Sequence, residues 1–204
     1  MKRGIMGIAV ILMITLTSCK SAVQHDVYSK IYEQYNAMQS YIATAAVTVA
    51  NNKGESVYRI RQYYSAPDRY RMDILDSEGN AETTYLFNGG TITLHSRSGG
   101  DVTLDDSLVT EKDYVFLPDF FADYFRSPDS FVSAARDLSG AQTELGTMCA
   151  AADSSRFRQS LWIDDKTLVP SRLITYDADG NEVLCVSYEN FSLNERMDDA
   201  VFQL

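Results

Sequence analysis

Histidine, cysteine and positive charge are all scarce in this chain. Two histidines and three cysteines occur among 204 residues, and 18 basic residues stand against 28 acidic ones. Neither His25 nor His95 belongs to a metal-binding pattern such as H-E-x-x-H. A formal net charge of −10 argues against nucleic acid as a partner, and against docking on anionic lipid by charge alone.

The sequence motifs of common catalytic sites are missing as well. The chain contains no G-x-S-x-G, no P-loop and no G-x-G-x-x-G. Adjacent acids occur at 105–106, 164–165 and 198–199, and paired carboxylates can act as general acid and base. Neighbouring acids on a strand point to opposite faces, however, and in loops they are usually solvated. The sequence therefore predicts a protein that is not an enzyme and holds no metal or cofactor.

The N-terminus has the pattern of an exported, lipid-anchored protein. Lys2 and Arg3 precede an apolar run over 4–16, which is shorter than the roughly 20 residues of a membrane-spanning helix. A basic head, an apolar run and small residues at its end are typical of a secretory signal. The closing residues Leu16-Thr17-Ser18-Cys19 resemble the bacterial lipobox, whose cysteine receives a diacylglyceryl group.

This resemblance predicts three segments. They are a signal peptide over 1–18, an acylated Cys19 with a short tether to residue 24, and a single domain over 25–204. The mature protein would then sit in the cell envelope, anchored on the extracytoplasmic face of a membrane by two acyl chains, as stable anchoring requires. An ordinary secretory signal with a chance cysteine is the alternative.

Hydrophobic periodicity predicts a helix followed by strands. Between residues 26 and 39, apolar side chains recur at spacings of three and four, the period of an amphipathic helix. The alternating, turn-bounded segments after it predict six strands: Tyr41–Ala50, Ser56–Tyr64, Arg69–Asp76, Thr83–Phe87, Thr91–His95 and Asp101–Leu104.

The period then changes. Pro118-Asp119 predicts the start of a second helix, and Asp129–Asp137 is predicted as a third, short one. Four further strands are predicted at 142–151, 156–164, 169–177 and 182–191, and the apolar tail 201–204 is expected to dock. This order predicts an α+β fold, with an N-terminal helix and a central helical insert packed across one face of a curved antiparallel sheet.

Two of the predicted turns share the form Asp-x-acid-Gly-Asn, at 76–80 and 177–181. Glycine supplies a positive φ and aspartate can bond its own backbone, so both segments predict tight hairpins. A calcium-binding loop of the EF-hand type would need glycine at position six, whereas Gly180 would be at position four.

Cys149 and Cys185 are open to two interpretations. In an exported protein they could form a disulfide, or they could be small buried strand residues. In a simple meander they fall on strands separated by two others, too far apart for a disulfide, which favours the second interpretation.

The hairpin over 56–76 carries a candidate binding patch. Under an even register its apolar side chains share one face, and the opposite face carries Arg59, Arg61, Arg69 and Arg71. Guanidinium groups suit carboxylates and phosphates, so these arginines are candidates for docking a protein partner or an anion. The alternative is a solvated face that balances local acids such as Asp73.

The central insert carries an aromatic cluster made of Phe120, Phe121, Tyr124 and Phe125. These side chains are candidates for a lid over an apolar cavity. The alternative, which we favour, is that they form the core-facing side of the helix.

Several phrases together resemble one superfamily. They are Ala66-Pro67-Asp68-Arg69-Tyr70-Arg71-Met72, Asn88-Gly89-Gly90, Leu161-Trp162-Ile163-Asp164 and Tyr176-Asp177-Ala178-Asp179-Gly180. In this order they look like the outer-membrane lipoprotein carriers of the LolA and LolB superfamily. The resemblance implies an incomplete, strongly curved antiparallel β-barrel, with helices packed over its concave face above an apolar cavity.

Soluble carriers of this type lack an acylated cysteine, so Cys19 points to lipid-anchored relatives. Chain length, lipobox and hairpin phrases are similar to the sporulation and germination lipoproteins of spore-forming clostridia, the GerS type. That resemblance implies a non-catalytic binding protein that docks and supports a cell-wall (cortex) amidase. The alternative function is a receptor or carrier that shelters lipid or lipoprotein acyl chains, and a homodimer is compatible with both.

Overall fold

The computed structural model describes residues 26–88, 90–105, 115–138, 140–150 and 152–204. Helix α1 covers 26–36, and its side chains Ile31 and Tyr35, one turn apart, are buried, which confirms the predicted N-terminal helix. The signal peptide, Cys19 and the tether lie outside the described residues. Across the described ranges, no helix is both long enough and apolar enough to cross a membrane.

Residues 37–204 form a compact unit built on one antiparallel sheet of eleven strands, in the order β6-β5-β4-β3-β2-β1-β11-β10-β9-β8-β7. The strands are β1 (Ser40–Asn51), β2 (Gly54–Ser65), β3 (Arg69–Leu75), β4 (Ala81–Asn88), β5 (Thr91–Ser96), β6 (Gly100–Asp105), β7 (Phe131–Arg136), β8 (Ala141–Met148), β9 (Arg158–Asp164), β10 (Pro170–Tyr176) and β11 (Glu182–Leu193). Strands β1 and β11 pair at the centre of the sheet, whereas β6 and β7 lie at its two open edges. The α+β prediction with an open antiparallel sheet is confirmed.

Side chains alternate between two faces of this sheet, as the pleat requires. The face that we call inner is buried and carries a continuous row of aromatic rings. Along this row the ring centroids of Phe191, Tyr41, Tyr64, Tyr70 and Phe87 lie 5.3, 5.8, 5.1 and 6.4 Å apart in turn. Because these rings come from β11, β1, β2, β3 and β4, the row ties five strands into one core.

Helix α2 (Leu117–Arg126) links the two edge strands and packs on the inner face. At its start the Leu117 amide donates to the Tyr41 hydroxyl on β1, and farther along the Asp123 carboxylate accepts from Ala150, just after β8. These two anchors are six residues apart on the helix, about 9 Å. Strands β1 and β8 would be four spacings, about 19 Å, apart in a flat sheet. The sheet must therefore curve around the helix.

The predicted third helix at Asp129–Asp137 is wrong, because residues Phe131–Arg136 form strand β7. The helix-like cap is present, since the Asp129 amide donates to Ser127 Oγ at 3.2 Å. A helix of nine residues is marginal by itself, however, and β8 offers a free edge for a full ladder of hydrogen bonds. Phe131 then lies flat across Gly146 on β8, where a Cβ atom would come within 2.2 Å of its ring.

The two Asp-x-acid-Gly-Asn turns have the same geometry, as their shared pattern predicts. The Asp76 carboxylate accepts from the Asn80 amide at 2.9 Å, and the Asp177 carboxylate accepts from the Asn181 amide at 2.8 Å. Gly79 and Gly180 have φ values of 85° and 88°, which only glycine adopts at little cost. The Asn80 backbone amide lowers the pKa of Asp76 in this way, and the Asn181 side chain and backbone amide together lower the pKa of Asp177.

Cys149, directly after β8, and Cys185, on β11, are free thiols, and β9 and β10 lie between these two strands. Burial raises the pKa of the Cys149 thiol to about 12 and also raises that of Cys185. Both thiols are therefore protonated at neutral pH, the less reactive form of cysteine.

Candidate functional site

The aromatic cluster of the insert is almost entirely core. Phe120, Phe121 and Tyr124 are buried, and only Phe125 is largely exposed. The Phe120 ring stacks on Tyr124, and Phe121 stacks on Phe125, with centroids 5.9 and 5.8 Å apart. These positions fit the core-facing interpretation of the helix for three of the four residues.

Two polar side chains hold the start of the insert on the sheet. Tyr41 and Gln62 are both buried, and the Tyr41 hydroxyl donates to Gln62 Oε1 at 3.3 Å. Gln62 Nε2 donates in turn to the Val115 carbonyl at 2.8 Å. Burial raises the pKa of Tyr41 well above its ordinary value, so the hydroxyl keeps its proton. These buried polar groups are hydrogen-bonded to one another. Moving the insert away from the sheet would therefore break several buried hydrogen bonds at once.

The opposite side of the sheet, which we call the outer face, carries the four arginines of the β2–β3 hairpin. The register pairs Tyr64 with Tyr70 on the inner face and Tyr63 with Arg71 on the outer face. Arg59, Arg61, Arg69 and Arg71 therefore project from one side, as the even register predicts.

Three of these four guanidinium groups are engaged within the chain. Arg59 pairs with Glu189 at 2.9 Å, and both side chains are largely exposed. Arg69 pairs with Asp199 at 2.6 Å, and its guanidinium lies 4.8 Å from the centroid of Phe202. Arg69 thus holds the C-terminal 3-10 turn, Asp199–Phe202, whose Phe202 is buried as the docking of the tail requires.

Arg71 has the most buried partner of the set. Its Nε donates to Asp73 at 2.8 Å, and its Nη1 donates to the Val201 carbonyl at 2.9 Å. Asp73 is only 3% exposed and also accepts from the Thr84 hydroxyl at 2.7 Å. The Arg61 guanidinium, in contrast, forms no hydrogen bond or ion pair with the residues that the structure describes, although Asp73 stands opposite Arg61 across β2 and β3.

Two further arginines lie on the outer face, and sequence reasoning missed both. Arg172 on β10 stands opposite Trp162 on β9, and its guanidinium lies 5.0 Å from the centroid of that ring. Arg158 on β9 stands opposite Tyr176 on β10 in the same way, at 4.5 Å. The signal in the sequence was an arginine and an aromatic residue on the same face of two adjacent predicted strands.

An open groove of about 700 Å³ lies at one end of the sheet. Its floor includes Val49 and Leu184, and polar side chains of three turns line its rim, among them Asn52, Ser155 and Asn181. Nowhere in the described ranges do three histidine, cysteine, aspartate or glutamate side chains gather closely enough to hold a metal ion.

These features define an α+β protein in which an open antiparallel sheet curves around a helical insert. The chain belongs to the YdcC-like sporulation protein family, which it matches over residues 1–202. This membership confirms the sporulation type to which the sequence phrases pointed. No curated protein matches the chain.

The chain is similar to several solved structures at low sequence identity. An uncharacterized conserved protein from Thermus thermophilus is 11% identical, with 88% of this chain and 92% of that chain covered and a TM-score of 0.54. A chain in the complex of the CwlD amidase and the GerS lipoprotein from Clostridioides difficile is 22% identical, with coverages of 83% and 95% and a TM-score of 0.49. A LolA superfamily protein from Nitrosomonas europaea is 13% identical, with coverages of 89% and 97% and a TM-score of 0.43.

Proposed function

We propose that this chain is a lipid-anchored, non-catalytic docking protein of the sporulating cell envelope, and that its partner is a cell-wall amidase that processes spore cortex. The observation that carries the proposal is membership of the YdcC-like sporulation family over residues 1–202. The partner class comes from the similarity of the lipobox and hairpin phrases to GerS-type lipoproteins.

Anchoring is assigned to Cys19. The chain has ten more acidic than basic residues, so charge gives it no attraction to anionic lipid headgroups. Two acyl chains on Cys19 would supply stable attachment without help from charge. A Cys19→Ser variant should move from the membrane fraction to the soluble fraction, and a variant that stays with the membrane would contradict the assignment.

Docking is favoured over acyl-chain transport by what fills the inner face. Phe116, Leu117 and Phe120 have no exposed surface, so the chain's own side chains occupy this part of the curved sheet. An acyl chain could enter only if the insert left, which would break the hydrogen bonds to Tyr41 and Gln62. The outer face needs no such rearrangement to meet a partner.

The deciding experiment measures binding between the purified protein and the cortex amidase of the same organism. We expect a stable complex by size-exclusion chromatography, and a deletion strain whose spores germinate poorly. If no complex forms and deletion spores germinate normally, the proposal fails. Native mass spectrometry distinguishes the carrier alternative, because a carrier would retain lipid on purification.

A further inference from the structure

We infer that the outer face of strands β2, β1, β11, β10 and β9 is the surface that docks the partner, and that it recognises an acidic patch on a protein. We call it the outer arginine surface, and its cationic groups are Arg61, Arg158 and Arg172. This inference rests on the proposed function, because the partner is the amidase named there.

The register brings these arginines into one region. Trp162, Arg172, Ser187, Ala46 and Arg59 follow one another across β9, β10, β11, β1 and β2 as successive pairing partners. Five adjacent strands span about 19 Å. In this row the two central strands contribute the small side chains of Ser187 and Ala46, so Arg172 with Trp162 and Arg59 stand on either side of a shallow floor.

The cationic groups of this surface lack carboxylate partners of their own. Arg61, Arg158 and Arg172 form no ion pair with any residue in the described ranges, although Arg59 beside them pairs with Glu189. The chain has 28 acidic residues for 18 basic ones, so carboxylates are available in excess. Guanidinium groups left without one in such a chain are complementary to carboxylates of another molecule.

Stacking on aromatic rings prepares the two arginines of β9 and β10 for binding. The Trp162 and Tyr176 rings hold these guanidinium groups 5.0 and 4.5 Å from their centroids. A guanidinium that is already oriented loses less conformational entropy on binding, and its edge stays open to bind a carboxylate. Arginine, tryptophan and tyrosine are also the residues that carry most of the binding energy at protein interfaces.

A protein fits this surface better than an anionic polymer does. The net charge of −10 repels a polyanion at long range, whereas a protein can present a local acidic patch on a neutral or basic body. Binding should therefore weaken with added salt but should depend on individual arginines.

The test uses the full protein extracted in nonionic detergent and the purified amidase. Arg61, Arg158 and Arg172 are replaced together by Gln, which keeps most of each side chain. We expect affinity to fall by about 30-fold or more, the loss typical of interface hot spots. The controls are the three single Arg→Gln variants and Arg126→Gln on α2; Arg126→Gln removes one positive charge, as each single variant does, from an exposed position elsewhere and should change affinity by less than about twofold. Circular dichroism and thermal melts check that each variant is folded.

The possible outcomes separate the two proposals. If the wild-type protein binds and the triple variant binds equally well, the outer arginine surface is refuted and the proposed function stands. If the wild-type protein does not bind the amidase, both fail. Long-chain polyphosphate serves as a polyanion probe, and tighter binding to it than to the amidase would overturn recognition of a protein.

Discussion

Arg71 and Arg61 lie on the same face of the β2–β3 hairpin but differ in what their guanidinium groups contact. Arg71 donates to the buried carboxylate of Asp73 and to the Val201 carbonyl, whereas the Arg61 guanidinium, across the ladder from Asp73, forms no ion pair among the described residues. Replacing each by Ala therefore separates the loss of a buried ion pair from the loss of an arginine side chain.

The expected magnitudes follow from burial. Removing one partner of a buried pair costs about 3–5 kcal/mol, because the other charge stays buried and uncompensated. The Arg71 side chain is 22% exposed, so water can partly replace it, and we expect Arg71→Ala to lower the free energy of unfolding by about 2–4 kcal/mol. For a unit of this size that corresponds to a fall in Tm of about 5–15 °C. Arg61→Ala should cost less than about 0.5 kcal/mol.

Urea unfolding measures these differences through far-UV circular dichroism and the fluorescence of Trp162, the single tryptophan. The double variant R71A/D73N adds a decisive comparison. Removing the charge of Asp73 relieves the uncompensated carboxylate, so the double variant should be more stable than R71A alone. If Arg71→Ala is no more harmful than Arg61→Ala, the buried pair does not stabilise the fold as argued.

Three further outcomes are expected. Asp177 accepts hydrogen bonds that lower its pKa in the folded protein. The stability that it contributes is therefore fully present above its unfolded pKa of about 3.9 and is lost as pH falls through the folded pKa. Tm should fall below pH 4, and it should fall less steeply in the Asp177→Asn variant. Cys149, with a pKa raised to about 12, should react with a thiol reagent at pH 8 only on unfolding, and prompt reaction of the native protein would count against its burial. Gly146→Ala should lower stability by about 1–3 kcal/mol in thermal melts because its Cβ overlaps Phe131, and Phe131→Ala in the same chain should remove that overlap; an unaltered melt of the single variant would refute the packing.

The local sequence pattern was sufficient to predict most strands, because each strand is bounded by turn residues and its apolar side chains alternate with period two. The β2–β3 hairpin illustrates this, since its turn fixes the register and the register then fixes the face of every side chain. Strand β7 could not be found this way. Its sequence Phe-Val-Ser-Ala-Ala-Arg is compatible with a helix, and only the free edge of β8 decides in favour of a strand.

For the candidate site, too, the sequence predicts what depends on one strand and misses what depends on contacts between distant segments. The shared face of Arg59 and Arg61 depends only on spacing within one strand, so the sequence predicts it. The stacking of Arg172 on Trp162 depends on which residues stand opposite across two strands, and it needs the observed register. The ion pair between Arg69 and Asp199 in the C-terminal turn could not be predicted from the sequence pattern either, because 130 residues separate the two.

The pairing of the first strand with the last has a consequence for synthesis of the protein. Strands β1–β6 and β7–β11 are two runs of local hairpins, and in the described part of the chain the strand pairing that joins them is between β1 and β11, where Tyr41 meets Leu193. The last strand is the final part of the sheet to be synthesised and, in an exported chain, the last to emerge, so both runs keep open edges until it arrives. A chain that stops before residue 182 would keep almost all of its hairpins and still lack the seam that makes them one sheet. Loss of the last 23 residues should therefore disable the whole molecule and expose it to proteolysis.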